Sequence, residues 1–228
     1  MGIETLAGRR ILVVGASGVL GATTAELLAN AGAEVLTLVR NPERLAERFL
    51  SGAHGQADVR DWASLGTGLR ACTASEGIHG VVNASGVVAF GGLSDLSPGT
   101  IEELFATNAR GVAFLLAQVA PLLDDGGFFA SYTGVAAEMN VLGMSAYCAS
   151  KAAAASLLAS ATRELRRRSI RVLDIRAPHT ETGLVSRSLE GSAPSMPAGL
   201  DPEVVARRVI SALADGESVL PSSAFTTQ

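Results

Sequence analysis

Lysine is almost absent from this chain: 17 of its 18 basic residues are arginines, and the only lysine is Lys151. Cysteine is also scarce. The two that occur, Cys72 and Cys148, lack the spacing of a metal site or of a disulfide framework, so we expect reduced thiols in a cytoplasmic protein. The three histidines form no cluster with acidic residues that would indicate a bound metal.

Long apolar runs are missing as well. No stretch approaches the ~20 residues of a membrane-spanning helix, and the N-terminus lacks the apolar core of a signal peptide. The net charge of -4 excludes the broad basic excess of a nucleic-acid-binding protein. Because 48% of the residues are hydrophobic, the chain is able to bury a substantial core. We therefore expect a folded protein with a small-molecule partner, and neither a nucleic acid nor a membrane.

Short β-branched runs alternate with longer helical segments along the chain. The run 11–14 is apolar throughout and stops at a glycine, which is typical of a parallel strand buried on both faces. Further strands are predicted at 35–39, 81–83, 127–132 and 170–175, with a short one ending near Asp58. Helices are predicted at 19–31, 42–49, 61–74, 101–123, 145–168 and 202–214. This alternation predicts one α/β domain over residues 1–228, with a doubly wound parallel sheet between two helix layers.

A glycine-rich turn separates the first strand from the first helix. It reads Gly15, Ala16, Ser17, Gly18, Val19, Leu20, Gly21. Between a strand and a helix, such glycines allow a tight turn and bring backbone N–H groups close to a pyrophosphate at the helix N-terminus. The pattern thus predicts a dinucleotide site with Gly15, Ser17, Gly18, Leu20 and Gly21. The alternative is an ordinary turn of small residues that packs a helix against the sheet.

The end of the second strand bears on which nicotinamide cofactor is used. An acidic residue there accepts from a ribose 2′-hydroxyl, whereas an arginine accommodates a 2′-phosphate. This chain has Arg40 at that point and no acidic residue from Val39 to Asn41. The sequence therefore favours NADP(H) over NAD(H), unless Arg40 is simply a surface residue.

Lys151 follows Tyr147 by four residues, which places both side chains on one face of a helix. An adjacent ammonium favours the ionised form of a phenol and lowers its pKa. A phenol tuned in this way exchanges a proton near neutral pH, as the interconversion of a carbonyl and an alcohol requires. The alternative is an exposed lysine on an ordinary helix.

Together these features resemble the short-chain dehydrogenase/reductase family over nearly the whole chain. The resemblance implies a Rossmann fold in which Tyr147 donates the proton to the carbonyl oxygen. Lys151 would lower the pKa of Tyr147 and bind the nicotinamide ribose. Further matches would place Asp58 and Val59 at the adenine, Asn83 and Ala84 in the turn Asn83-Ala84-Ser85-Gly86 beside the cofactor, and Asn108 in a proton relay through water.

The chain departs from the family where the catalytic serine is expected, because that position is Gly134. The neighbouring Thr133 carries a hydroxyl, and we expect it to bind the substrate oxygen. Ser131 and Ser145 are weaker candidates. The alternative is that Thr133 only makes a local backbone hydrogen bond at a strand end.

A second departure is Pro178-His179, where the family has Pro-Gly. The resemblance assigns the cofactor carboxamide to Thr182 or Thr180. His179 either contacts substrate or cofactor or is an exposed loop residue. The irregular segment 178–200 is predicted to be a mobile lid over the substrate, with residues 85–90 and 138–144 shaping the same pocket.

The sequence thus predicts an NADP(H)-dependent oxidoreductase, specifically a carbonyl reductase. Two alternatives stay open: a catalytically weak NADP-binding sensor or subunit, and an epimerase or dehydratase of the same fold. The helices that carry Asn108 and Tyr147 are apolar and rich in alanine, which is typical of helices that are either buried or paired with a partner. In the family that the chain resembles, these helices commonly form the subunit interface, so the resemblance implies a homodimer or homotetramer.

Overall fold

The computed structural model describes residues 6–46 and 53–225 of the chain. Its seven strands are β1 Arg10–Val14, β2 Glu34–Val39, β3 His54–Gln56, β4 Ile78–Asn83, β5 Leu123–Tyr132, β6 Arg171–Ile175 and β7 Val219–Leu220. They form one sheet in the order β3-β2-β1-β4-β5-β6-β7, with every neighbouring pair parallel. The predicted doubly wound parallel sheet is confirmed.

Helices cover both faces of this sheet. Those described are α1 Val19–Asn30, α2 Pro42–Ala46, α3 Trp62–Thr73, α4 Pro98–Phe105, α5 Gly111–Val119, α6 Ser145–Leu165 and α7 Pro202–Asp215. The prediction of a helix over 42–49 extends to residues 47–49, which lie outside the described ranges. Among the described helices, none has the length and apolar content needed to cross a membrane.

Strand β1 shows how the sequence pattern produces the two helix layers. Ile11 and Val13 pack into a core with α1 and α7, whereas Leu12 and Val14 pack into a second core with α3, α5 and α6. All four side chains are buried. An unbroken apolar run therefore fits a strand that is covered on both faces.

The predicted helix 101–123 is wrong at both ends. Ser97 caps the N-terminus by accepting a backbone N–H, and Pro98 occupies the first turn, so α4 begins earlier than predicted. At the other end, α5 stops at Val119, because the residue before Pro121 is disfavoured in a helix. The chain then enters β5 at once. Strand β7 was not predicted, because its two residues are too few to give a pattern.

The residues singled out from the sequence follow successive strands at one edge of the sheet. Gly15 follows β1, Arg40 follows β2, Asp58 lies just beyond β3, Asn83 ends β4 and Thr133 follows β5. Ligands of open parallel sheets bind outside the carboxyl ends of the strands. This edge is therefore where the candidate site is built.

Candidate active site

The turn after β1 is so tight that two of its positions require glycine. Gly15 has φ +82°, and a Cβ there would lie 2.9 Å from the backbone nitrogen of Ser85. A Cβ on Gly21 would lie 2.4 Å from the Gly15 carbonyl oxygen, so α1 packs directly against the turn. Gly18 donates its N–H to the same carbonyl oxygen at 2.9 Å.

The N-terminus of α1 keeps its first backbone N–H groups free of side-chain partners. Gly18 is the N-cap, so no side chain accepts from these groups, and the first turn holds no acidic residue. Ser17 and Leu20 are half-buried in the same turn. Free N–H groups at the positive end of a helix dipole favour a phosphate. The turn therefore fits the pyrophosphate of a dinucleotide.

Arg40 directly follows β2 and has an exposed side chain. It lines a cleft of about 540 Å³ together with Gln56, Asp58 and Ser64. Gln56 donates its side-chain amide to the Arg40 carbonyl oxygen at 3.2 Å, which fixes the backbone at this strand end. Arg40 and Asp58, which the sequence assigns to the adenine, thus line one cleft.

Asp58 belongs to an ion-pair network that was not predicted. Both of its carboxylate oxygens accept from the Arg60 side chain, at 2.5–3.1 Å. Arg60 also donates to both carboxylate oxygens of Glu103 on α4, at 2.5 and 2.6 Å. The Arg60 guanidinium holds the pKa of Asp58 below its usual range, so the carboxylate is ionised and its charge is balanced. Val59, between them, is buried against Gly111.

Asn83 ties the carboxyl ends of two strands together. Its side-chain amide donates to Ser131 at 3.0 Å, and its oxygen accepts from the backbone N–H of Ser85 at 3.1 Å and from the Ser85 hydroxyl at 2.6 Å. Ala84 donates its N–H to the Val14 carbonyl oxygen at 2.9 Å. This turn therefore lies directly against the glycine turn, and the Ser131 hydroxyl is buried there rather than open to a substrate.

Asn108 lies in a π-helical turn, Ala106–Arg110, between α4 and α5. Its amide is fully buried and bridges the Val87 backbone, accepting from the N–H at 3.0 Å and donating to the carbonyl oxygen at 2.9 Å. It also donates to the Ser150 hydroxyl at 3.0 Å. A π-turn inside a helix is frequent at functional sites. Here the π-turn carries a buried amide whose oxygen and nitrogen both have hydrogen-bond partners, as a buried polar side chain requires.

Tyr147 and Lys151 lie on the same face of α6, as their spacing predicts. The Lys151 ammonium is 5.9 Å from the centre of the Tyr147 ring and donates to the Tyr132 carbonyl oxygen at 3.0 Å. Lys151 is only 7% exposed, so the alternative of an exposed surface lysine is wrong. Gly86 keeps the space beside it open, because a Cβ there would lie 3.3 Å from the ammonium and 3.4 Å from the Asn108 oxygen.

The expected lowering of the Tyr147 pKa is wrong for this arrangement. Burial raises the pKa of Tyr147 to about 12, and the adjacent Cys148 acts in the same direction. Burial also disfavours the charged form of Lys151 and lowers its pKa from 10.5 to about 8, although Asp174 opposes this fall. At neutral pH the phenol and the ammonium therefore both hold their protons.

The hydroxyl expected to replace the missing serine points elsewhere. Thr133 is 1% exposed and donates its hydroxyl to a carboxylate oxygen of Asp174 on β6, with a second contact of 3.3 Å to the Ile175 carbonyl oxygen. The geometry thus contradicts the expectation that Thr133 binds the substrate oxygen. Gly134 has φ +80°, a conformation that glycine adopts readily. Ser145 is exposed at the start of α6.

The two threonines predicted to bind the carboxamide lie at the base of the segment 178–200. Thr180 is buried, pairs with Leu200 as an isolated parallel bridge, and donates its hydroxyl to the Pro178 carbonyl oxygen at 2.9 Å. Thr182 is half-buried, and its hydroxyl accepts from a backbone N–H at 3.3 Å. His179 is half-buried, and its Nε2 lies 3.6 Å from the Glu181 carboxylate.

The rest of the segment 178–200, predicted to be a lid, is docked on the chain that follows β4. Leu189 donates its N–H to the Val88 carbonyl oxygen at 2.8 Å, and Phe90 donates its N–H to the Glu190 carbonyl oxygen at 2.9 Å. The Glu190 carboxylate accepts from the N–H and the hydroxyl of Ser97 at 3.0 and 2.9 Å. Leu184, Val185 and Ala193 of this segment pack in the apolar cluster around the Tyr147 ring. The other members of the cluster are Val88, Phe90, Ala136, Val141, Met144 and Cys148.

Comparisons with known proteins assign the chain to a family. Residues 9–192 match the family model of the short chain dehydrogenases. This chain belongs to the short-chain dehydrogenase/reductase family. A 2,3-dihydro-2,3-dihydroxybenzoate dehydrogenase of Escherichia coli is 30% identical over 179 residues, which cover 78% of this chain and 71% of that enzyme.

Solved structures of this family show the same fold at low sequence identity. A short chain dehydrogenase of Burkholderia cenocepacia in complex with NADP has a TM-score of 0.85 at 23% identity, covering 97% of this chain and 89% of that one. A short chain dehydrogenase/reductase of Burkholderia phymatum in complex with NAD has a TM-score of 0.80 at 21% identity, covering 95% and 89%. As a family member the chain is an oxidoreductase, and the family uses a nicotinamide cofactor.

Three side chains of this short-chain dehydrogenase escaped prediction from sequence. Asp174 and Arg176 lie on and after β6, and Arg60 lies beside Asp58; all three take part in ion pairs near the predicted site. The sequence offered one signal for this network: Asp174 is a charged residue inside an otherwise apolar strand, and a buried charge requires a partner. Within the described ranges, no group of three histidine, cysteine or acidic residues is arranged to hold a metal.

Proposed function

We propose that this protein is an NADP(H)-dependent carbonyl reductase that interconverts a carbonyl and a secondary alcohol, with Tyr147 as general acid and base. The observation that carries the proposal is the buried Lys151 ammonium beside the half-buried Tyr147 ring. Lys151 lies beside the turn Asn83-Ala84-Ser85-Gly86, and this turn packs directly against the glycine turn, whose N–H groups have no side-chain partners. This is the combination of a proton donor and a dinucleotide site that the reaction needs.

Tyr147 carries the proton chemistry of the proposed reaction. Because its pKa is raised to about 12, the phenol is protonated at neutral pH and is a proton donor to a substrate oxygen. Reduction of a carbonyl needs this donor, whereas oxidation of an alcohol needs the phenolate and is favoured by alkaline conditions. The Lys151 ammonium and the Asn108 side-chain oxygen both lie close to Gly86, which supports a proton route from Tyr147 that passes these two residues.

The residues that would hold the cofactor are those of the glycine turn, Arg40, the Asp58-Val59 pair, the Asn83-Ala84 turn, Lys151 and the threonines 180 and 182. When bound, the nicotinamide supplies the hydride. The preference for NADP(H) rests on Arg40, which is exposed in the cleft it shares with Asp58. Arg60 neutralises the Asp58 carboxylate, so that carboxylate repels a 2′-phosphate less than a free one would.

An apolar, uncharged substrate suits the surroundings of Tyr147. The cluster in which its ring packs is made of aliphatic, aromatic and sulfur-containing side chains, and the Lys151 ammonium lies 5.9 Å from the ring centre. An uncompensated carboxylate among such groups would be costly to bury. We place the protein in the cytoplasm, in agreement with its two free, buried thiols, and expect self-association through the helices that carry Asn108 and Tyr147.

The rival function is an NADP-binding sensor or subunit with little turnover. It is favoured by one observation: position 134 offers no hydroxyl, and the Thr133 hydroxyl is engaged by Asp174. The experiment that separates the two is NADPH consumption with apolar ketones, quinones and matched carboxylate-bearing ketones. Turnover on the uncharged compounds supports the reductase, and tight NADPH binding without turnover on any compound supports the sensor.

Cofactor choice is tested by Arg40→Asp, with Arg207→Asp on α7 as a control for the change in charge. We expect Arg40→Asp to weaken NADPH binding roughly 10- to 100-fold, the effect of losing a charge-assisted contact, and to leave NADH binding unchanged or improved. Fluorescence titration of both cofactors measures this. Equal effects on NADPH and NADH would contradict the role of Arg40.

A further inference from the structure

Two charged side chains are buried in the part of the chain that the structure describes. They are Lys151, 7% exposed, and Asp174, 4% exposed. Burying a charge is costly unless an opposite charge or strong hydrogen bonds compensate it. Each of these two buried charges therefore needs a compensating group nearby.

Both charged groups form hydrogen bonds with consecutive residues, Tyr132 and Thr133, at the carboxyl end of β5. The Lys151 ammonium donates to the Tyr132 carbonyl oxygen at 3.0 Å. The next residue, Thr133, donates its hydroxyl to the Asp174 carboxylate. Asp174 lies opposite Ser131 in the β5–β6 register, one residue before the level of Tyr132. The lysine thus approaches this strand end from α6, and the carboxylate approaches it from β6.

We propose that Asp174 is a positioning residue that acts through Lys151: its buried carboxylate is the counter-charge that keeps the lysine protonated and seated against β5. The electrostatic part of this inference stands on its own. Its consequence for proton transfer rests on the proposed function of Tyr147.

The charges around Asp174 balance only when Lys151 is counted. Arg176 donates to Asp174 at 2.8 Å and lies 3.4 Å from the Glu138 carboxylate. Glu138 also accepts from the N–H and the hydroxyl of Ser222. Two carboxylates therefore face one guanidinium, and the ammonium of Lys151 supplies the second positive charge.

The other groups around Lys151 cannot replace this carboxylate. From its own helix it faces the phenol of Tyr147, which is protonated at neutral pH because its pKa is about 12. From the π-turn it faces the neutral amide of Asn108, near the space at Gly86. Asp174 is the group that opposes the effect of burial on the Lys151 pKa. The Thr133 hydroxyl donates to this carboxylate and holds it in place.

The single lysine makes this proposal directly measurable. In the full chain labelled with [¹³C,¹⁵N]lysine, the Lys151 Cε gives one NMR signal, whose shift against pH reports the pKa without substrate or cofactor. We compare Asp174→Asn, which removes the charge and keeps an acceptor, with Thr133→Val, which removes the hydrogen bond and keeps the charge. We expect Asp174→Asn to lower the midpoint by about one pH unit or more, and Thr133→Val to lower it less.

Two outcomes would overturn the proposal: an unchanged midpoint in folded Asp174→Asn, or equal shifts in the two variants. If Asp174→Asn does not fold, Arg176→Met provides the test, because the carboxylate would then be left with Lys151 as its cation. A raised midpoint supports the proposal, and an unmoved one overturns it.

The effect of Asp174 on catalysis is measured separately, by the pH dependence of kcat/KM. If a protonated Lys151 is needed for turnover, the alkaline limb of the kcat/KM profile shifts to lower pH in Asp174→Asn by the amount that NMR measures. A loss of stability alone would not move this limb. Absence of turnover in the wild-type protein would refute the proposed function, whereas the Lys151 titration would still decide the role of Asp174.

Discussion

At the scale of single residues, the unusual group is a lysine held away from water. Lys151 is 7% exposed and its pKa falls from 10.5 to about 8 on folding, mainly because burial disfavours the ammonium. The unfolded chain therefore binds more protons at this site than the folded one between about pH 8 and 10.5. Stability must rise with pH across that window.

This linkage predicts how Lys151→Met compares with the wild type. Below pH 8 the wild type bears the full cost of the buried ammonium, about 3 kcal/mol for a shift of this size. As the pH rises to 10.5 that cost disappears, so the free energy of unfolding of the wild type should gain about 3 kcal/mol relative to the variant. Urea unfolding at several pH values measures the difference. A difference independent of pH would mean that Lys151 titrates normally.

Residue-scale signals also explain what was predictable from sequence. Gly18 and Gly21 meet constraints set by Gly15 a few residues away, and Gly15 itself has a positive φ. The Tyr147/Lys151 pair needs only the geometry of one helix. Thr133 was misassigned because its partner, Asp174, is 41 positions away on the neighbouring strand. No local pattern near Thr133 reports which strand lies beside it or which charge that strand carries.

At the scale of elements, the segment 178–200, which the sequence predicts to be a lid, is docked on the rest of the chain rather than free. Gly191 has φ +70°, and a Cβ there would lie 1.8 Å from the Phe90 carbonyl oxygen. The two backbone hydrogen bonds between the lid and the segment after β4 lie next to this contact. The predicted lid thus docks specifically on Val88 and Phe90, and it could open only if these contacts broke.

Gly191→Ala should therefore undock the lid. We expect faster hydrogen exchange at the Phe90 amide and a higher KM, because the wall that covers the Tyr147 cluster is displaced. Gly126→Ala is the matched control: its φ of +80° imposes similar backbone strain, but a Cβ there meets nothing within 4 Å. Hydrogen-exchange mass spectrometry measures the effect. The same exchange rate at Phe90 in both variants would contradict the docked lid.

At the scale of the whole molecule, the parallel sheet and its two helix layers followed from the alternation of β and α segments. The boundaries that failed depend on local chemistry that the apolar pattern does not record, such as the cap at Ser97. The Arg60–Glu103 pair joins residues 43 positions apart, so the sequence contained no signal for it. Fold class was therefore more predictable than the electrostatic network of the site.

Self-association is the prediction that concerns the whole molecule. The outer face of α6 presents small, exposed side chains: Ala149, Ala152, Ala153, Ser156 and Ser160. We expect light scattering to give two or four times the chain mass of 23.3 kDa, and Ala153→Glu to shift the protein toward the monomer. Ala29→Glu, on the exposed side of α1, should leave the mass unchanged. A monomeric wild type would contradict this prediction.

The measurement that tests the central claim most directly is the turnover of Tyr147→Phe beside its affinity for NADPH. The substitution removes one hydroxyl and keeps the ring in its apolar cluster. We predict a loss of turnover of about 10³-fold, the contribution expected of a general acid, with NADPH affinity little changed. Cys148→Ala, at the adjacent position, should retain turnover. A Tyr147→Phe protein that reduces its carbonyl substrate at the wild-type rate would contradict the account.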